Sequence, residues 1–367
     1  MPLSPDILFT PFQSSKLNLK NRLVMAPMTR NHSPAGVPGQ NVVDYYRRRA
    51  EGEVGLIITE GTTINHPVAS NDVNIPSFHG EASLAGWRKV VEAVHAAGGK
   101  IVPQLWHQGA QRAAGTGPNP ELPAIGPSGY SKPGEQSAKI MSQQDIDDVI
   151  AAFAQAARDA KALNFDGIEL HGAHGYLIDQ FFWEELNKRD DKYNGSITER
   201  TRFAVEIIEA VRQAVGPDFP IIFRFSQFKI GDYDAKLAHN PQELEEFLKP
   251  LLAAGVDLFH ASTRRFWEPA FDDSQLTLAG WTKKISGKPT IAVGSVGLDI
   301  DFMSSFGGAE SNPASLDELI TRLDNEEFDL IAVGRALISD PAWANKIQQG
   351  KEKSIATFSP ADLQTLK

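Results

Sequence analysis

Along this chain, short runs of aliphatic and β-branched residues alternate with longer stretches in which apolar positions recur three and four residues apart. A run of four to seven residues, dense in Val, Ile and Leu and bounded by turn formers, predicts a strand; the three-and-four spacing predicts a helix with one apolar side. Eight such runs occur: Leu23 to Ala26, Val54 to Glu60, Lys100 to Leu105, Asp166 to Leu170, Ile221 to Phe225, Leu258 to Ser262, Thr290 to Val293 and Leu330 to Val333. Helical spacing marks the stretches between them, among them Leu84 to Ala97, Gln144 to Leu163, Thr198 to Val215, Glu243 to Ala254 and Leu316 to Leu323. Strand and helix in alternation imply parallel strands joined by crossovers, and eight repeats close the sheet, so the pattern predicts a (β/α)8 TIM barrel.

Local signals sharpen some helix starts. Asn240-Pro241 with Glu243 predicts an N-cap with proline in the first turn, and Ser315 with Glu318 predicts a capping box. Two Pro/Gly/Ser-rich stretches, Ala113 to Lys139 and Phe302 to Ala314, interrupt the alternation after the third and seventh strands. On the C-terminal face of a barrel, long loops of this kind are expected as lids or pocket walls. The length of 367 residues fits a single barrel domain over 1–367 with such insertions.

Composition narrows the partners. Hydrophobic residues make up 41% of the chain, enough for a large core, and a net charge of -10 argues against a nucleic-acid partner, whose phosphates are bound by Lys and Arg. The absence of cysteine excludes disulfides, thiolate nucleophiles and Cys-ligated metal or iron-sulfur clusters. A basic segment followed by an apolar run is missing at the N-terminus, and no long apolar span follows, so the expectation is a soluble cytoplasmic protein with no membrane contact. Without heptads or an apolar stripe to announce an interface, monomer and homodimer stay equally open.

Chemistry-bearing residues gather at the predicted strand ends, where barrels carry their sites. The first strand runs into Pro27-Met28-Thr29-Arg30, the second into Gly61-Thr62, and the third ends in Gln104-Leu105-Trp106-His107. Beyond the fourth stand His171, His174 and Tyr176; the fifth holds Arg224; the seventh and eighth run into Gly294-Ser295-Val296-Gly297 and Gly334-Arg335. The glycines after the last two strands suit an anion that must approach bare backbone N–H groups, with Arg335 adding charge. Arg224 lies in an otherwise apolar run and needs a partner, either a carboxylate or an anionic ligand. His171 and His174 alone fit three roles: metal ligands, a structural pair, or hydrogen-bond donors to a substrate.

At this point the chain resembles the old yellow enzymes, FMN-dependent ene-reductases. The resemblance rests on Leu8-Phe9-Thr10-Pro11, the stretch from Lys20 to Arg30, Gln104-Leu105-Trp106-His107, the His171 cluster, the stretch from Arg189 to Ser196, and Gly334-Arg335. It implies non-covalent FMN, NAD(P)H as transient hydride donor, and a small-molecule activated alkene as acceptor. By that resemblance Ala26, Pro27, Met28 and Thr29 lie along the flavin, with Thr29 near its O4. Gly61 lets the ring approach backbone, Gln104 meets the pyrimidine edge and Arg224 faces N1. Gly294, Ser295, Gly334 and Arg335 bind the phosphate. His171 and His174 grip the acceptor's carbonyl oxygen, and Tyr176 protonates its α-carbon.

Two positions depart from the family pattern: Thr29 stands where one branch carries cysteine, and Asn194 where glycine is frequent. Relatives with added iron-sulfur and second flavin domains need cysteines, so dienoyl-CoA chemistry is not expected. No Gly-x-Gly-x-x-Gly follows any strand, so a ping-pong cycle through one shared pocket is expected. Trp106 and Trp267 are aromatic in loops where packing is the commoner role, and neither is assigned to the site. The competing functions are another FMN-barrel dehydrogenase and a metal-dependent hydrolase or aldolase on the same fold; for the metal, His-Glu-x-x-His is absent.

Overall fold

The computed structural model describes residues 3–300 and 311–367. Eight parallel strands close into a barrel: β1 Leu23–Met25, β2 Leu56–Thr63, β3 Lys100–Trp106, β4 Ile168–His171, β5 Ile221–Ser226, β6 Leu258–Ser262, β7 Thr290–Val293 and β8 Leu330–Val333. Closure is made by β8 against β1, with Ile331 opposite Leu23 and Val333 opposite Met25. All eight predicted runs are barrel strands. The second extends past Glu60 because Gly61 to Thr63 pair with Gln104 to Trp106 after a register shift beyond Ile58. Such a shift re-aims the strand end, here at the rim that carries the site.

A helix follows each strand. Those over Glu81–Ala96, Gln143–Ala162, Pro241–Ala254 and Asp317–Asp324 match the predicted spacing, and Gln40–Glu51, Leu278–Ser286 and Trp343–Gln348 complete the ring after β1, β6 and β8. The stretch predicted as one helix over Thr198 to Val215 divides at Thr201, whose hydroxyl donates to Thr198 O, into Ile197–Arg200 and Arg202–Val215. Asn240 caps its helix through the Glu243 N–H at 2.9 Å, as the sequence predicts. The Ser315/Glu318 capping box does not form. Ser315 Oγ takes the Asp317 N–H instead, and Glu318 is drawn to Arg322 at 2.8 Å, one helical turn on.

Inside the barrel, Val24, Leu56, Ile58, Val102, Ile222, Leu258, Ile291 and Leu330 form an apolar plug. An antiparallel hairpin, Phe12–Gln13 against Asn18–Leu19, adds Phe12, Leu17 and Leu19 to the same cluster. Lys16 in its turn pairs at 2.6 Å with Asp257, the residue just before β6, so the hairpin seals the N-terminal end of the barrel. Among the described residues no helix is long and apolar enough to cross a membrane.

Candidate active site

The strand ends converge on a cavity of about 330 Å³. Every residue given a site role by the family resemblance borders it: Ala26, Pro27, Met28, Thr29, Gly61, Gln104, His171, His174, Tyr176, Arg224, Gly294, Ser295, Gly334 and Arg335; Arg30, Thr62, His107 and Gly297, also at strand ends, do not. The geometry brings together what barrel topology alone made neighbours, because successive strands deliver their last inward residues to one rim.

On one side stand the imidazoles and the phenol. His171 ends β4, and its Nδ1 accepts the Ala173 N–H at 3.3 Å, which leaves Nε2 as the protonated nitrogen. His174 Nε2 lies 2.8 Å from Ser262 Oγ. Burial, followed by the charge of Arg224, pushes both histidines well below the usual imidazole range, so both are neutral at physiological pH. Tyr176 sits edge-on between Trp106 and His171, with centroids 4.9 and 5.0 Å away. Burial raises its pKa, so its hydroxyl keeps its proton. His174 already has a protein partner in Ser262, and among the described residues no three His, Asp or Glu side chains gather as metal ligands.

Next to them, on the neighbouring strands, lies a polar layer. Arg224 is buried; its Nη2 donates to Ser262 Oγ at 3.2 Å, while its Nε has no hydrogen-bond partner. A buried guanidinium N–H left unmatched is costly, so Arg224 is held at the cavity edge at some expense to stability. Gln104 Nε2 donates to Glu169 Oε1 at 2.8 Å, and Glu169 Oε2 lies 2.6 Å from His260 Nδ1. Glu60, one residue before Gly61, accepts the N–H groups of Arg30 and Asn31 and so holds the turn that follows Thr29.

A third corner is built from the ends of β7 and β8. Gly294 has φ 144°, and a Cβ there would fall 2.7 Å from Thr263 O. Arg335 Nη2 reaches Ser295 Oγ at 3.3 Å and Ile300 O at 2.6 Å, tying the two glycine turns together.

Several lining residues escaped the sequence reading. Ser262 is the last residue of the sixth predicted run, and the strand-end rule alone was signal enough to find it. Phe228, Ile230 and Tyr233 come from the loop after β5, and Phe358 and Leu363 from the C-terminal segment. Trp106 lines the cavity; Trp267 does not, and packs edge-on against Phe266. The 113–139 stretch is no wall of this cavity. It folds on itself through pairs such as Ile125–Gly126 with Lys139–Ile140, and Arg112 holds its start by donating to the carbonyls of Leu122, Thr116 and Asn119. Most of the Phe302 to Ala314 loop lies outside the described residues.

Comparison with known proteins agrees with this arrangement. Residues 7–354 match the model of the NADH:flavin oxidoreductase / NADH oxidase family. An NADH oxidase of Thermoanaerobacter brockii is 35% identical over 359 residues, covering 95% of this chain but 52% of that protein, so the chain spans about half the length of this relative. Morphinone reductase, solved in complex with tetrahydroNAD, superposes with a TM-score of 0.79 at 28% identity, over 97% of this chain and 93% of that one. An old yellow enzyme from a Pichia species gives a TM-score of 0.80 at 26% identity, over 99% and 91% of the two chains. Family model, relatives and barrel geometry together make this chain a member of the NADH:flavin oxidoreductase / NADH oxidase family, that of the old yellow enzymes.

Proposed function

We propose that the chain is an FMN-dependent ene-reductase that draws on NAD(P)H to reduce activated alkenes, chiefly α,β-unsaturated ketones and aldehydes. The observation that carries this reading is a single cavity that brings two sets of groups together. One set is His171, His174 and Tyr176; the other is Gln104, the two glycine turns and the buried guanidinium of Arg224. The second set fits FMN. Gln104 offers a donor and an acceptor to the pyrimidine edge, Arg224 supplies a cation beside the locus of negative charge, and Gly294, Ser295, Gly334 and Arg335 receive the phosphate. With no cysteine in the chain, attachment of the cofactor through a thiol is excluded. FMN bound there supplies hydride relay, from the reduced nicotinamide to the β-carbon of the acceptor.

The protein's part follows from its protonation states. His171 and His174, both neutral, donate hydrogen bonds to the acceptor's carbonyl oxygen, and these strengthen as negative charge builds there. For His174 this requires its proton on Nδ1, an arrangement Ser262 permits: its oxygen accepts from Arg224, and its own O–H is then donated to Nε2. Neither imidazole carries an extra proton to give away, so the oxygen stays anionic and the proton goes to carbon. Tyr176, protonated and beside the His171 ring, delivers it to the α-carbon and is refilled from solvent. Donor and acceptor take turns in the one cavity.

The test is direct. Purified protein should be yellow and release free FMN on denaturation; anaerobic titration with NADPH or NADH should bleach it, and 2-cyclohexenone should restore the colour. Phenols should bind the oxidised form with a long-wavelength charge-transfer band that His171→Ala and His174→Ala weaken. A protein without flavin, or one whose bleached form ignores the enone, overturns the reading.

A further inference from the structure

One ion pair next to the cavity has no task in the chemistry above. Lys229 Nζ and Asp179 Oδ1 are 2.6 Å apart, and both side chains are fully buried. An apolar pair of the same volume generally serves stability at least as well, so the pair's purpose is to be sought in what it connects. Complete burial also denies Lys229 contact with any ligand. It is not a catalytic residue.

Its connections run to the two halves of the acceptor site. Asp179 belongs to the short helix Leu177–Phe182 that starts right after Tyr176, and its second oxygen accepts the Gly175 N–H at 2.6 Å. Lys229 forms a backbone bridge with His174, and the following residue, Ile230, donates its N–H to His174 O at 3.2 Å. The turn so held bends at two left-handed residues, Gly175 with φ 82°, which suits a glycine, and His174 with φ 66°, which a side chain disfavours. A non-glycine residue keeps that conformation only where its surroundings impose it.

Residues flanking Lys229 make the wall. The Phe228 ring lies over His174, centroids 5.1 Å apart and 24° from parallel, and Tyr233 stacks on Phe228 at 5.6 Å. The Arg264 guanidinium covers Tyr233 at 4.8 Å, which completes a continuous stack outward from His174. Phe228, Ile230 and Tyr233 all face the cavity.

We propose that Lys229 and Asp179 form a positioning pair, one buried contact that sets both the His174–Tyr176 turn and the Phe228–Tyr233 wall, and thereby determines acceptor fit. The inference rests on the ene-reductase reading only for the identity of the ligand. Gln104 and the glycine turns belong to other strands, and Arg224 is held inside β5 by its pairing with His171 on β4 and His260 on β6, so flavin binding should not depend on the pair.

The experiment uses the holoprotein. Lys229→Met alone strands a buried carboxylate, so the informative variant is Asp179→Asn with Lys229→Met, which removes both charges and leaves an amide oxygen for the Gly175 N–H. The expected result is full flavin content, an unchanged reduction potential by dye equilibration, a Kd for 4-chlorophenol raised tenfold or more, and an increased enone KM with kcat altered less than threefold. A folded, fully flavinated double variant that binds 4-chlorophenol like the parent overturns the inference. If the double variant is not recovered folded, hydrogen exchange on the parent decides. The amides of Gly175 and Ile230 should report one common opening free energy once their intrinsic exchange rates are divided out, because the same opening frees both; different opening free energies overturn the inference. A parent that binds no phenol counts against the ene-reductase reading, and the exchange comparison still judges the pair.

Discussion

Glu169 Oε1 accepts a hydrogen bond from Gln104 Nε2 at 2.8 Å, and this contact decides which end of the glutamine amide is committed to the protein. One N–H is spent on the carboxylate, so the carbonyl oxygen and the second N–H remain for the cofactor. Glu169→Gln removes that instruction, since an amide can face Gln104 with either end. The expected outcome is an FMN Kd about tenfold higher, equivalent to ~1.4 kcal/mol for one well-oriented hydrogen bond. Fluorescence titration of the flavin-free protein measures it, and an unaltered Kd would show that something else orients Gln104.

Tyr176 is assigned to one half of the cycle, which makes the other half its control. Tyr176→Phe should leave flavin reduction by NADPH nearly intact and slow enone reduction by roughly 10²–10⁴-fold, the span for loss of a positioned general acid. Quinones, which need no proton on carbon, should be spared. Stopped-flow traces of the two half-reactions decide it: equal loss in both makes the tyrosine structural, and no loss in either makes water the proton source.

At Gly294 the obstacle to any side chain is backbone. Gly294→Ala places a Cβ 2.7 Å from Thr263 O and 2.9 Å from the Arg264 carbonyl carbon, at a φ that L-residues avoid. The loop must shift, at a cost of about 1–3 kcal/mol in stability. Urea melts should show that loss together with weaker retention of FMN; a variant with parental stability would mean that the β7 turn yields freely.

Stability should also depend on pH in a direction the buried groups dictate. His107, His171 and His174 are held well below the unfolded value near 6.5, chiefly by burial. Their contribution is whole above that pH and is lost as pH falls, with a limiting slope of about 1.4 kcal/mol per pH unit for each. Glu60 opposes them: burial raises its pKa to about 7, so its contribution is present below the unfolded carboxyl range and lost as pH rises toward 7. Burial raises Asp179 as it does Glu60, but it also lowers His66, His79 and His260, so the histidines outnumber the carboxyls and unfolding free energy rises with pH up to about 6.5. Denaturant melts that are flat or falling across that window would contradict neutral buried histidines.

How much of this was legible in the chain differs by region. The strands were, because each is a continuous apolar run buried on both faces, and barrel geometry then converts strand ends into a site. Ser262 was equally legible by position and was passed over because a serine carries no conspicuous chemistry. Phe228 and Tyr233 were not, since the path of their loop is set by a contact between residues 50 positions apart, Lys229 and Asp179. Phe358 and Leu363 reach the cavity because Arg30, from the far end of the chain, donates to the carbonyls of Asp362 and Thr365. No local pattern encodes that. The 113–139 stretch misled for the converse reason: its composition is that of a lid, but it satisfies its own carbonyls through Arg112 and turns away.

The hairpin over Phe12 to Leu19 gives the barrel a floor. Above it the apolar plug already fills the barrel, so the cavity is a cup with one mouth and empties by the route it filled. On the proposed cycle, whichever molecule is in excess would sit in the doorway when the other is due, and abundance of either reactant would slow the turnover it was meant to drive.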